Sequence, residues 1–506
     1  MRRAFVLALV LAMTGANARA ADVPTVAAVR ERVRLAAGTR PPSERIVVTY
    51  DARGLHGRNT TYRIGDDYRE LVEEPPFRTQ HGRLAKQAWH QNANGETVLD
   101  QADPGLATGD AMATTISETV SPVAGYVLAS LNAAGSGTKE YIEAATWRVV
   151  RRVIVRPTGT TTFAYDDFRT VDGVTQAWHW TVRDGHAEND ADYRIERRSN
   201  DVSAPDVAIA APRGTFVEFP AGRDRVSLPV REAGDKFYVR LTIGERGLDF
   251  LLDTGASGIT IDDDIARQLG LTVYGHYSNA ANAGRYVGGR VLIPSIKVGD
   301  LAMHDVVMGL TPHMNASIGT GEVRPVGLLG FDFIAALALE LDYEHAVVTA
   351  TAPSSFAAPT APHTVPLDIR LGTQAPMTDV AINGALGERF LIDTGASGPV
   401  LIFDYFRRRH PSALVDLGGG EARNRHFLGV GGAFETQPYQ LDSVRLGNVN
   451  FKDFLAFVVR TKTAYASDED GVLGTEFLRL FNVYLDYANS SIYLEPNARG
   501  RAARAR

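Results

Sequence analysis

Phe250-Leu251-Leu252-Asp253-Thr254-Gly255-Ala256-Ser257-Gly258 returns as Phe390-Leu391-Ile392-Asp393-Thr394-Gly395-Ala396-Ser397-Gly398, 140 residues further on. The repetition continues downstream. Gly327-Leu328-Leu329-Gly330-Phe331-Asp332-Phe333 is answered by Gly471-Val472-Leu473-Gly474-Thr475-Glu476-Phe477, and Leu341-Asp342-Tyr343 by Leu485-Asp486-Tyr487, both at an offset of 144. Leu228-Pro229-Val230 has a rougher echo in Val365-Pro366-Leu367. A repeat that keeps its order over more than 100 residues predicts two homologous units, the second carrying a small net insertion.

Each unit reads as β-rich. Phe237 to Ile243 is a β-branched and aromatic run, and Leu248 to Leu252 is a second; the turn Gly244-Glu245-Arg246-Gly247 between them predicts a hairpin. In the second unit Thr378 to Ile382 and Arg389 to Ile392 flank a turn at Asn383-Gly384. Asp262 to Leu269 predicts a short helix stopped by Gly270, and further short helices are expected over Phe331 to Ala338 and Glu476 to Phe481. Thr351 to Pro362 is rich in Ala, Pro, Ser and Thr and reads as a linker between the units.

Two apolar residues, Asp-Thr-Gly, a small residue and Ser, followed by an apolar-apolar-Gly element, make a pattern that resembles the aspartic peptidases of the retropepsin-like and pepsin-like type. The resemblance covers roughly residues 224–498. It implies a mainly β fold: two homologous retropepsin-like β-barrel lobes forming a pepsin-like bilobal unit. It also implies a reason for the pairing. Two carboxylates held about 3 Å apart cannot both ionise easily and share one proton. One is then a general base toward water and the other a general acid toward the peptide carbonyl. Asp253 and Asp393 match the catalytic pair. Thr254 and Thr394 match the residues whose hydroxyls cross to the opposite loop. Gly255 and Gly395 are expected to let the backbone turn tightly beneath each carboxylate. Ser257 and Ser397 match positions that hydrogen-bond the outer carboxylate oxygen. Leu251, Leu252, Leu391 and Ile392 are expected in the core, with Leu328-Leu329-Gly330 and Val472-Leu473-Gly474 packed beneath the loops. An endopeptidase of this kind needs no metal or cofactor, takes a peptide or protein as substrate, and with both lobes in one chain works as a monomer.

The family closes a hairpin flap over its substrate. The matching stretches are Asn279 to Val291, with Tyr286, Gly288 and Gly289, and Phe427 to Phe434, with Gly429, Gly431 and Gly432. An ordinary hairpin turn accounts for these glycines equally well. Retroviral members follow the later glycine with Arg, whereas Phe331 and Thr475 stand here, and the 140-residue spacing is shorter than in pepsins.

The rest of the chain fixes context. Its 506 residues hold no cysteine, which removes disulfides, thiol nucleophiles and thiolate metal sites together. At about 100–200 residues per domain the length predicts three domains. Arg2-Arg3, an apolar run from Ala4 to Met13 and Ala18-Arg19-Ala20 form a secretory signal peptide, residues 1–20, so the protein is expected in the periplasm or secreted. Its removal takes away Arg2, Arg3 and Arg19 and moves the formal charge from −6 to −9, no footprint for nucleic acid. No later run predicts an integral membrane segment.

Residues 21–212 read as a β-rich (α+β) domain, with strands over Arg45 to Asp51, Thr61 to Tyr68, Trp147 to Pro157, Thr160 to Tyr165 and Trp178 to Val182. The string from Tyr165 to Val202 resembles the late strands of periplasmic lipoprotein-carrier domains, which implies a sheet able to bind a hydrophobic ligand. Trp89-His90 and Trp178-His179-Trp180 are candidates to line a pocket or to pack within the sheet. The expected division is 1–20, 21–212, lobe 1 over 224–350, a linker over 351–362, lobe 2 over 363–498, and a basic tail over 499–506 that frays. Asp468-Glu469-Asp470-Gly471 lacks calcium-loop spacing and reads as a solvated turn. No His-Glu-x-x-His or Gly-x-Ser-x-Gly motif is present. Two rivals to the endopeptidase stay open: a hydrophobe carrier on a non-catalytic protease-fold scaffold, and an N-terminal domain that is a removable proregion.

Overall fold

The structure is a computed structural model. It describes residues 23–504 apart from 100–112, 133–134, 157–158, 214–215, 282–283, 313, 315–322, 373, 417–424, 430–431 and 460–468. The stretch expected to be a signal peptide, residues 1–20, lies outside the described residues.

The second half folds as two lobes of like design, mainly β. In lobe 1, Lys236–Ile243 pairs antiparallel with Arg246–Leu252 across a two-residue turn, Gly244-Glu245, tighter than the four residues expected. Leu251 and Leu252 then lie parallel to Leu328 and Leu329. In lobe 2, Met377–Ile382 and Ala385–Ile392 turn at Asn383-Gly384, both with positive φ, and Phe390 to Ile392 run parallel to Gly471 to Leu473. The repeated Phe-Leu-Leu/Ile runs form central strands because every residue has apolar neighbours: Phe250, Leu252, Phe390 and Ile392 are fully buried. Each such side chain contributes roughly 1.5–3 kcal/mol. The repeated Gly330 and Gly474 are required by close approach. A Cβ would meet the Ala256 carbonyl at 2.3 Å in one lobe and the Gly398 carbonyl at 2.4 Å in the other.

A six-stranded sheet joins the lobes. Ala338–Asp342 pairs antiparallel with Phe481–Asp486, so that the repeated Leu341 and Leu485 runs meet each other across the approximate two-fold. The helices are shorter than expected. Asp263–Gln268 is capped by the Asp262 side chain, Phe331–Ala335 is one turn, and Thr475–Leu478 ends before Phe481 because Phe481 already belongs to the joining sheet. Of the basic tail the described part is ordered: Ala498–Arg504 is helical, with Arg501 donating to the Pro496 carbonyl at 2.7 Å. Nor is Asp470 a solvated turn residue. It is fully buried, accepts from Arg409 at 2.6 Å and from the Arg389 backbone at 3.1 Å, and ties the chain into the second lobe.

The N-terminal domain is one antiparallel sheet of thirteen described strands. Ser43–Ala52 and Ala191–Ser199 lie side by side at its middle, and the chain meanders outward from each. The expected strand over Thr61 to Tyr68 is in fact two, Leu55–Ile64 and Asp67–Glu74, because Gly65 takes a positive φ and turns the chain. Strands over Val149–Arg156, Gly159–Val171 and Val174–Arg183 account for the other runs, and Trp147, with φ of 58°, sits in the preceding turn. A helix, Val26–Ala37, packs Val29 against Leu128 and Ile142. Among the described residues no helix is long and apolar enough to cross a membrane.

Candidate active site

Both Asp-Thr-Gly loops leave the ends of their buried strands and meet at the lobe junction. The threonines lock them. Thr254 Oγ1 donates to the Ile392 carbonyl at 2.6 Å, and Thr394 Oγ1 donates to the Leu252 carbonyl at 2.8 Å. Each hydroxyl also accepts the opposite threonine's backbone N–H, at 3.1 and 3.0 Å. Both threonines are buried. Four hydrogen bonds therefore fix one loop against the other, away from competing water.

Asp253 and Asp393 face each other above this lock and share a hydrogen bond. Their inner surroundings differ. Asp253 Oδ1 accepts the Gly255 N–H at 2.9 Å, whereas Asp393 Oδ1 accepts two, from Gly395 at 2.7 Å and Ala396 at 3.0 Å. Burial, then the Asp393 charge, push the Asp253 carboxyl well above the ordinary range. Burial raises Asp393 as well, opposed by its N–H donors and by the Asp253 proton. The additional N–H donor favours the ionised form on Asp393 and leaves Asp253 the better place for the shared proton.

The two glycines also matter to the opposite loop. Neither Gly255 nor Gly395 has a positive φ. What they give is space: a Cβ on Gly255 would lie 2.6 Å from Asp393 Oδ2, and one on Gly395 would lie 2.5 Å from Asp253 Cγ. Each glycine is the floor on which the opposite carboxylate rests. Gly395→Ala is therefore expected to lower turnover at least about tenfold by misplacing Asp253, with far-UV circular dichroism unchanged. Turnover equal to wild type would show that the carboxylate has room to spare.

Ser257 and Ser397 are exposed, and the described hydrogen bonds to the carboxylates come from backbone N–H groups instead. Around Asn279 to Val291 the chain does form a hairpin, Tyr274–Ala281 against Gly284–Val298, with Tyr286 opposite Asn279 and Gly288 opposite Tyr277. Gly289 is buried, a Cβ there meeting the Gly275 carbonyl at 2.6 Å. In lobe 2 Gly429 pairs with Gly432 at a hairpin end. Gly431 lies outside the described residues.

Several groups around the pair had no sequence motif. Lys236 is buried, and the charges of Asp253 and Asp393 oppose the lowering that burial imposes on it. Its only forewarning is an asymmetry of the repeat, since Ala375 holds the corresponding place in lobe 2. Burial holds the Tyr487 phenol well above its usual range, with both aspartates adding to the effect. Asp332, buried beside Gly258, is raised to about 6 by that burial. Among the described residues one cluster has metal-ligand spacing, Asp262, Asp263 and Asp264. Asp262 there is already committed to capping its helix and to the Met314 N–H.

The aspartyl protease family model matches residues 239–333 and 378–477, one segment in each lobe. No curated protein sequence matches the chain. Among solved structures, an aspartic proteinase from Irpex lacteus is 12% identical with a TM-score of 0.34, over 55% of this chain and 99% of that one. The N-terminal part resembles LolA-like lipoprotein carriers. A LolA superfamily protein from Nitrosomonas europaea is 10% identical with a TM-score of 0.28, over 37% of this chain and 98% of that one. A putative outer membrane lipoprotein-sorting protein domain from Vibrio parahaemolyticus is 10% identical with a TM-score of 0.27, over 35% and 93%.

Proposed function

We propose that this chain, whose two lobes carry the aspartyl protease family fold, is an exported endopeptidase that hydrolyses peptide bonds through Asp253 and Asp393. The observation that carries the reading is the pair itself: two carboxylates in hydrogen-bond contact, locked by Thr254 and Thr394, with unequal N–H donors. Ionised Asp393 takes a proton from a water bound between the two groups as its oxygen bonds to the peptide carbonyl carbon. Protonated Asp253 gives its proton to the carbonyl oxygen. Asp393 then gives its proton to the amide nitrogen while Asp253 takes one back from the diol; the C–N bond breaks, an amine and a carboxylic acid leave, and the pair is as it began. Every proton moved belongs to the pair or the water, so no metal or cofactor enters. Export rests on the signal peptide read from residues 1–20.

The mature full chain, incubated with a mixed peptide library, is expected to release new termini, and a statyl-type inhibitor is expected to stop it by mimicking the tetrahedral carbon. Intact peptides after prolonged incubation across pH 3–8 would remove the reading and leave a non-catalytic scaffold. The proregion alternative makes a separate forecast, that residues 224–498 alone cleave faster than the full chain.

A further inference from the structure

Strand ends and turns of the N-terminal sheet are docked on lobe 1 at two places, and both belong to the region around the candidate active site. The first is Asp332, one residue beyond the Phe331 that follows Gly330. Its Oδ1 accepts Asn92 Nδ2 at 2.5 Å, and its Oδ2 accepts Asn94 Nδ2 at 2.6 Å. The amides are held in that orientation, since Asn92 Oδ1 accepts the Glu96 N–H at 2.9 Å and Asn94 Oδ1 accepts the Val307 N–H at 2.7 Å. Only an acceptor pair, a carboxylate, completes the arrangement.

The second place is the hairpin Tyr274–Ala281/Gly284–Val298. Arg290 forms a buried ion pair with Glu74 and lies over the Phe77 ring at 4.7 Å; the Glu74 carboxylate also accepts from Tyr50 at 2.9 Å. Phe77 in turn meets the edge of Tyr274 with ring centres 5.4 Å apart. The His276 N–H donates to the Arg53 carbonyl at 2.7 Å, and the Ser278 N–H donates to Asn189 Oδ1 at 2.9 Å. Breaking a buried charged pair is costly, so this is an attachment built to persist.

Between the two attachments lies a cavity of about 500 Å³. His81, His90 and Ala93 of the N-terminal domain form one side, and Ser257, Gly258 and Tyr286 form the other. Gln374 of lobe 2 also reaches it. Ser257 lies four residues beyond Asp253 and is exposed. Much of the remaining wall is polar, and Thr260 Oγ1 in that wall is buried with no partner among the described residues.

We propose that the N-terminal domain completes the substrate cleft: its strands, with His81 and His90, wall a subsite that receives a polar, hydrogen-bonding side chain of the bound peptide. The proposal rests on the peptidase reading for the identity of the ligand, but binding can be tested apart from cleavage. The cavity is reached from the catalytic loop and from the hairpin that the family folds over its substrate. A polar side chain entering it can pair with Thr260 Oγ1, whereas an apolar one leaves that buried hydroxyl without a partner.

The test uses full-length protein in two forms, active and Asp393→Asn, each with His81→Leu and with Ala93→Trp. His81 is half exposed, so its change spares folding, and Ala93→Trp fills the cavity by a different route. Peptides retained by the Asp393→Asn protein, and peptides cleaved by the active one, are identified by mass spectrometry. A preference for polar residues at one position relative to the cleaved bond is expected, weakened at least fivefold by both substitutions. If both substitutions leave the retained and cleaved sets unchanged, the subsite is overturned and the peptidase stands. If they alter retention while no form cleaves, the subsite stands and catalysis falls. Retention of no peptide by any form overturns the subsite.

Discussion

Asp253→Asn and Asp393→Asn are each expected to lower turnover at least about 10³-fold, some 4 kcal/mol of transition-state stabilisation. The shared proton is the reason that one substitution suffices. Asparagine at 393 cannot accept the proton from water. Asparagine at 253 offers an N–H where an acid is needed but cannot give that proton away. The measurement is single-turnover cleavage of a peptide found in the library experiment. Two variants as active as wild type would sink the pair as the catalytic centre. A second readout separates lost chemistry from lost fold. A carboxyl whose folded value is raised keeps a proton that the unfolded chain releases. Its contribution to stability is present below the ordinary Asp value near 3.9 and is lost as pH rises through the folded value. Asp253 is of this kind. Asp253→Asn removes a penalty that grows with pH, so it is expected to melt at or above the wild-type temperature at pH 7. The wild type's activity is expected to fall as pH rises through that same raised value, a limb lying above the usual carboxylate range.

How far this site could be read from the sequence follows from which interactions are local. The Asp-Thr-Gly loops are local, and duplication doubled their signal, so the pair, the threonine lock and the buried Leu and Ile strands were legible before any coordinates. The part played by Gly255 and Gly395 was not. A positive φ is a local property that a turn can announce, but space for a carboxylate 140 residues away is a tertiary fact. The burial of Asp332 and Asp470 is a tertiary fact of the same kind. An isolated acidic residue reads as solvated until its partners are known, and those partners are Asn92 and Asn94 for one and Arg409 for the other. Lys236 left only the trace that its place in the repeat is Ala375. In the N-terminal domain, period and turn residues located the strands, although Gly65 was overlooked as a turn. Nothing in that half pointed to docking on lobe 1, because the contacts join single side chains from distant segments. Trp89 proved to be buried packing, while its neighbour His90 faces the shared cavity. The alternation of a strand places adjacent residues on opposite sides, and which side faced another domain was not written in that alternation.

Thr254→Val and Thr394→Val are expected to damage the molecule by a different route. Valine keeps the volume of threonine and removes only the hydroxyl. In Thr254→Val the Ile392 carbonyl loses its donor and the Thr394 N–H loses its acceptor, both at a buried lobe junction. Each unpaired buried group costs about 1–3 kcal/mol, so one substitution should destabilise the joined lobes by roughly 2–6 kcal/mol. Thr394→Val strands the Leu252 carbonyl and the Thr254 N–H in the mirror arrangement, and because each hydroxyl accepts from the other threonine's own N–H, the double variant should depart from the sum of the two. All four tryptophans, Trp89, Trp147, Trp178 and Trp180, lie in the N-terminal domain, so indole fluorescence follows that domain and far-UV circular dichroism must follow the lobes. Urea unfolding is expected to show an earlier circular-dichroism transition for each valine variant, with the fluorescence transition moved less. Thr254→Ser is the control, since it restores both hydrogen bonds and loses one methyl group. A valine variant as stable as the serine variant would mean that the hydroxyls do not hold the lobes together. Loops freed in this way also let Asp253 and Asp393 drift apart. The pair then ceases to share its proton, so kcat should fall at least about tenfold with a smaller change in KM. Thr254→Ser should keep the wild-type kcat, tying the loss to the hydrogen bonds and not to the altered side chain.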